Sequence, residues 1–127
     1  MREITLDEVI YMHSEAVKAT GGSDGLRDIR LLDSAVNAPF QSFGGYDVYP
    51  TIYEKAARLG FGLAQNHAFI DGNKRIAALA MLGFLRMNGV DIDCTEDELI
   101  SIFLRLAESE VTPEDLTEWI INHETER

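Results

Sequence analysis

Nine consecutive residues, His67-Ala-Phe-Ile-Asp-Gly-Asn-Lys-Arg75, crowd an imidazole, a carboxylate, an amide and two cations into one short segment. Transfer of a phosphoryl-type group to a hydroxyl needs such a set. Imidazole as a side-chain type titrates near neutrality, so His67 can take a proton from an attacking hydroxyl. Asp71 can hold a Mg²⁺ that bridges phosphates, and Asn73 can hydrogen-bond a phosphoryl oxygen. Lys74 and Arg75 can stabilise the charge that develops during transfer. Gly72 has no Cβ and so lets phosphate oxygens come close to the backbone.

The two cations stand where cations are normally disfavoured. Apolar spacing predicts a helix from Asn73 to Asn88, and Lys74 and Arg75 fall in its first turn, the end that already carries partial positive charge. A bound anion, held by the first-turn N–H groups and both cations, resolves that conflict. Each residue alone has a plainer reading: His67 as a cap on the preceding helix, Asp71 as an N-cap, Lys74 and Arg75 as solvated charges. Crowded together, they read as a phosphate cradle. A zinc site on His67 and Asp71 is disfavoured, because Gly72 and Asn73 interrupt any single helix through both.

The elements that must position this segment announce themselves by their starts. Thr5-Leu-Asp-Glu8, Thr51-Ile-Tyr-Glu54 and Thr95-Glu-Asp-Glu98 have the capping-box form, and Thr112-Pro113 puts Pro at a first helical position. Apolar residues follow at three- and four-residue spacing, as in Leu6, Val9, Ile10, His13 and Val17, or Leu99, Ile102, Phe103 and Leu106. Asp28 to Asn37 forms a further helix stopped by Pro39, and Thr51 to about Gln65 leads into the nine-residue segment. The helix from Asn73 is apolar almost all round and is expected to be the central one. Gly21-Gly22 and Asn88-Gly89 predict left-handed C-terminal caps. Between Phe40 and Pro50, aromatics around Gly44-Gly45 suggest a short exposed flap. The expected fold is all-α: a single compact domain, residues 1–127, of about six helices with a buried central helix and a short flap.

Composition narrows the partners. The chain has 127 residues, 22 acidic against 11 basic, so its formal net charge of -11 argues against direct nucleic-acid binding or an anionic membrane surface. A local positive pocket could still hold an anion. The lone Cys94 permits no intramolecular disulfide, and no apolar run approaches the length of a membrane span. A cytoplasmic setting is expected. His13 reads as a core or boundary residue, His123 as solvated in a polar tail, and Trp119 as core.

The segment His67-x-Phe69-x-Asp71-Gly72-Asn73-Lys74-Arg75 resembles the signature of the Fic/Doc superfamily, and Lys74 after the asparagine makes it similar to the Doc branch, the death-on-curing toxins of bacterial toxin–antitoxin pairs. The likeness extends through the first helix with His13, Gly21-Gly22, Gly25-Leu26-Arg27-Asp28, the flap before Pro50, and Phe84-Leu85-Arg86-Met87-Asn88-Gly89. It implies an all-helical toxin that uses ATP with Mg²⁺. It also implies His67 as general base, Asp71 as Mg²⁺ ligand, Gly72 and Asn73 as phosphate contacts, Lys74 and Arg75 as charge stabilisers, and Phe69 as the buried anchor of the loop. The flap from Phe43 to Tyr49 would pair its backbone with an extended piece of a protein substrate.

Departures from the superfamily pattern indicate the reaction. Members that transfer AMP usually carry Gly where Lys74 stands and a second Arg where Ala78 stands, so the resemblance implies phosphorylation of a protein Ser or Thr, with a translation elongation factor as the target. Ala68 replaces a frequent Pro and leaves the loop less stiff. The terminal region has no Ser/Thr-x-x-x-Glu inhibitory motif, so silencing by a separate cognate antitoxin is expected. Protein AMPylation and a catalytically inert antitoxin-binding module are the alternative readings.

Overall fold

Five of the six α-helices begin where a side chain closes the first turn. The Thr5 hydroxyl accepts the N–H of Glu8 at 3.2 Å, and a Glu8 carboxylate oxygen accepts the N–H of Thr5 at 3.0 Å. Thr95 and Glu98 repeat this exchange, and at Thr112 the reciprocal partner is Asp115. Thr51 makes only half of it: its hydroxyl accepts the N–H of Glu54 and donates to the Glu54 carboxylate. Asp28 accepts the N–H groups of Arg30 and Leu31. Such caps satisfy donors that a helix cannot pair internally.

The computed structural model describes residues 1–126. Their elements are α1 (Leu6–Thr20), α2 (Ile29–Asn37), a 3₁₀ turn (Ala38–Phe40), β1 (Ser42–Phe43), β2 (Tyr46–Asp47), α3 (Ile52–Asn66), α4 (Asn73–Met87), α5 (Glu96–Ala107) and α6 (Pro113–His123). The all-α expectation holds, with a two-stranded hairpin as the only sheet among the described residues. No described helix is long and apolar enough to cross a membrane.

The centre of the fold is a pair rather than one helix. As expected, α4 is buried at seven positions from Ile76 to Leu85. It lies along α3, which also packs on α2, α5 and α6. Their approach depends on Gly60: a Cβ there would stand 3.0 Å from the Met81 sulfur and 3.3 Å from Phe103. The pair belongs to one contiguous core that includes Val9 of α1, Leu32 of α2, Leu106 of α5 and Leu116 of α6. Asn88 closes α4 and ties it to the chain start, since its side chain bonds the carbonyls of Phe84 and Arg2 and accepts the N–H of Arg2. Gly89 follows at φ 83°, so Asn88-Gly89 ends a helix and makes no hairpin.

His123 corrects the sequence expectation. Its ring is partly buried and stacks on Trp119, with Nδ1 2.7 Å from the Trp119 carbonyl and Nε2 3.0 Å from the Glu98 carboxylate. The end of α6 is thereby latched to the start of α5. The Thr95 N–H and His123 together hold the Glu98 carboxyl below the usual carboxylate range. Burial, with Glu98 and Asp93 nearby, pushes the Cys94 thiol up, away from the reactive thiolate.

The flap is built as a tight hairpin. Ser42 pairs with Asp47 and Phe43 with Tyr46, around Gly44 and Gly45 at φ 59° and 85°. Both positive φ values suit glycine and match a type I′ turn. Phe43 and Tyr46 are 86% and 78% exposed, so the hairpin rings are not part of the core. Buried Lys55 of α3 ties down the base of the flap through the Asp47 carboxylate at 3.0 Å and the Tyr49 carbonyl.

Candidate active site

The nine-residue segment is the connection between the two central helices. α3 ends at His67, the C-cap, whose backbone takes the left-handed conformation at φ 50° and ψ 45°. The plainer reading of His67 as a helix cap is therefore right for its backbone. Its side chain is solvent-exposed and makes no hydrogen bond or ion pair among the described residues. An exposed imidazole with both nitrogens uncommitted is free to meet a substrate.

A second segment grips this connection from outside. Gly25–Asp28 runs antiparallel beside His67–Ile70: Leu26 bridges Phe69, the N–H groups of Arg27 and Asp28 share the Ala68 carbonyl at 2.8 and 3.0 Å, and Ile70 donates to the Gly25 carbonyl at 2.9 Å. The Arg27 guanidinium bonds the His67 carbonyl at 2.7 Å and reaches that of Asn66 at 3.4 Å. These are carbonyls at the end of α3 that the helix itself leaves open. Arg27 thus fixes the peptide that carries the imidazole.

Phe69 anchors the loop as the resemblance implies; it is 3% exposed and stacks on His13 with ring centres 3.7 Å apart. Asn73 holds the loop itself. Its amide oxygen accepts the N–H of Phe69 and its amide nitrogen donates to the Phe69 carbonyl, so the side chain closes the loop on itself. What Asn73 can still offer an anion is its backbone N–H and the second N–H of its side-chain amide.

Asp71 is not the N-cap of α4. That position belongs to Gly72 at φ 77°, and no side chain caps the helix. The other five α-helices all have a Thr or Asp side-chain cap. The first-turn N–H groups of α4 are accordingly left for another acceptor. One Asp71 carboxylate oxygen accepts the Gly72 N–H at 2.8 Å, and the other faces the Ser23 N–H at 3.4 Å. Gly22 allows this approach: a Cβ there would lie 2.8 Å from the same oxygen.

Lys74 and Arg75 are exposed beyond the uncapped turn. Arg75 donates to the Thr20 hydroxyl at 2.9 Å, while Thr20 donates to the Ala16 carbonyl. Lys74 has no partner among the described residues. Both line the mouth of a cleft of about 490 Å³ whose walls are Ala78 and Leu79 of α4 and Leu99, Ile100, Phe103 and Leu104 of α5.

The donor set fits Mg²⁺ in one way only. Among the described residues no three His, Cys, Asp or Glu side chains converge as a metal cage. Mg²⁺ commonly takes one or two protein carboxylates and draws its other ligands from phosphates and water. The single exposed Asp71 carboxylate suits that arrangement.

Site residues missed from sequence are His13, Thr20, Ser23 and Arg27. His13 was readable as a polar residue on the apolar stripe of α1, and Arg27 stood within the resembling Gly25–Asp28 stretch. Nothing local points either of them at the loop.

Four helices around an α3–α4 pair, which is joined by a loop bearing His67, Asp71, Lys74 and Arg75, define a Fic/Doc domain. A model of the Fic/DOC family matches residues 3–85, and the chain belongs to that family. α5 and α6 lie beyond the matched residues. The chain is similar to Toxin Doc of Mycolicibacterium smegmatis, 44% identical over 93 residues that cover 68% of this chain and 72% of that protein. It is also similar to Protein kinase doc of Escherichia phage P1, 32% identical over 92 residues and 72% of each chain.

Proposed function

We propose that this chain is a Doc-type toxin that transfers the γ-phosphoryl group of ATP to a Ser or Thr hydroxyl of a protein, with a translation elongation factor as the target class. Protein synthesis in the host cell would stop as a result. The observation that carries the reading is the juxtaposition of an exposed, unpartnered His67 with the uncapped, doubly cationic start of α4. The names of the two relatives, a toxin and a protein kinase, agree with it.

In this reading the target hydroxyl oxygen attacks the γ-phosphorus while its proton passes to a ring nitrogen of His67. The bond from phosphorus to the β,γ-bridging oxygen breaks, and ADP leaves. The first-turn N–H groups of α4 with Lys74 and Arg75 bind the phosphates and offset their charge. Asp71 would hold Mg²⁺, which neutralises phosphate charge when bound. Ala78 lines the cleft with a methyl group, so a second guanidinium of the kind used for AMP transfer is missing there. The exposed flap would receive an extended piece of the target by strand addition.

ATP labelled separately at the α and γ phosphates, offered with a bacterial lysate, tests the reaction. Label is expected in protein from the γ position only. Label retained only from the α position would make the enzyme an adenylyltransferase. Label from neither, with growth inhibition intact, would favour the inert module.

A cognate antitoxin would silence the enzyme by folding an apolar segment into the α4–α5 cleft, next to Lys74 and Arg75. Leu79, Ile100 and Leu104 expose 38%, 48% and 49% of their surface there. Ile100→Glu places a charge in that wall and is expected to weaken antitoxin binding at least about tenfold, measured by titration calorimetry. An unchanged affinity would put the antitoxin on another face.

A further inference from the structure

His13 lies on α1, 58 residues before the loop, and is 1% exposed. Its Nε2 stands 2.7 Å from the Asp71 carbonyl oxygen. A carbonyl can only accept, so Nε2 carries the hydrogen. The other nitrogen, Nδ1, is buried with no hydrogen-bond partner. The nearest carboxylate, Asp24, stays 3.7 Å away and is held by the Ser14 hydroxyl at 2.8 Å. Burying an unpaired polar atom is unfavourable, and a Phe or Leu would fill an apolar site without it. A side chain chosen for packing alone would not be histidine.

The compensation is at the loop. The same ring that donates to the Asp71 carbonyl stacks on Phe69, with an interplanar angle of 12°. It also sits under Gly72, where a Cβ would be 3.6 Å from Nε2. One side chain therefore touches the anchor, the carboxylate-bearing residue and the N-cap of α4. From these contacts we infer that His13 is the positioning residue of the loop: its Nε2–H fixes the peptide after Asp71, and with it the carboxylate and the open N–H groups of α4. α1 then acts as the floor of the phosphate site. The catalytic consequence rests on the transferase reading above; the positional claim does not.

The test compares His13→Phe, which keeps an aromatic ring on Phe69 but has no donor, with His13→Gln, whose side-chain amide reaches to about where Nε2 lies. His13→Leu replaces His13→Phe should the latter not fold. His13→Phe is expected to keep a cooperative thermal transition at or above the wild-type Tm, while its amides at Phe69 and Ile70 exchange hydrogen about tenfold faster or more. Its rate of γ-label transfer at saturating ATP should fall about 100-fold, in keeping with a misplaced loop. His13→Gln should restore most of both. Wild-type exchange in His13→Phe, or no rescue by a folded His13→Gln, would overturn the assignment. If the wild-type chain transfers no label, the transferase reading fails, and hydrogen exchange alone still decides whether His13 holds the loop.

Discussion

Replacing His67 by alanine is expected to lower γ-phosphoryl transfer by about 10²- to 10⁴-fold, the usual contribution of a general base. Growth inhibition should disappear with it. The exposed imidazole packs against nothing that the core needs, so its removal leaves α3 and α4 in place. The backbone at this position needs more care, because His67 sits at φ 50°. Alanine tolerates that region less well than a short polar residue, at a cost of about 1 kcal/mol. His67→Asn separates the two effects: Asn adopts the left-handed conformation readily but cannot take the proton. Both variants should lose transfer, whereas His67→Asn should match the wild-type Tm in a thermal melt monitored by circular dichroism. Toxicity that survives both substitutions would leave the inert antitoxin-binding module as the better account.

The largest stability effect should come from Phe84→Ala. Phe84 is fully buried on α4 and meets Phe40 edge-on, with ring centres 5.5 Å apart and an interplanar angle of 65°. Removing the ring forfeits its transfer energy and leaves a cavity that rigid helices on either side cannot fill. The expected loss is about 3–5 kcal/mol, a large part of the roughly 5–15 kcal/mol that holds a domain together. Urea unfolding should show a lower midpoint with an unchanged slope. Leu79→Ala on the same helix is the contrast. Leu79 is 38% exposed at the cleft, and its truncation should cost no more than about 1 kcal/mol. Equal losses at the two positions would mean that α4 is not buried on one side and open to the cleft on the other.

The helices were legible because their signals are local. Thr5, Thr51, Thr95 and Thr112 each bond an N–H three residues ahead, so sequence spacing and spatial contact coincide. Gly44-Gly45 marks a tight turn for the same reason. The site was legible in composition and only partly in geometry. Asn73 shows the limit: as an amide in a phosphate-binding pattern it reads as a ligand, and the equally local pair of bonds to Phe69, by which it also closes the loop, is not what that pattern announces. His123 shows another, since its partner Glu98 lies 25 residues away on a different helix.

By itself the sequence determined which residues would be helical, which stripe of each would be apolar, and that one nine-residue loop crowds an imidazole, a carboxylate, an amide and two cations together. Those properties depend on intervals of one to four residues, over which backbone geometry is nearly constant. Only the tertiary structure decided what holds that loop. His13 reaches Asp71 across 58 residues, Thr20 reaches Arg75 across 55, and Arg27 reaches His67 across 40. Such pairs exist only after the apolar stripes of α1, α3 and α4 have been driven together. Burial of those stripes is non-directional, and which polar atoms then face one another is set by the packing of whole helices.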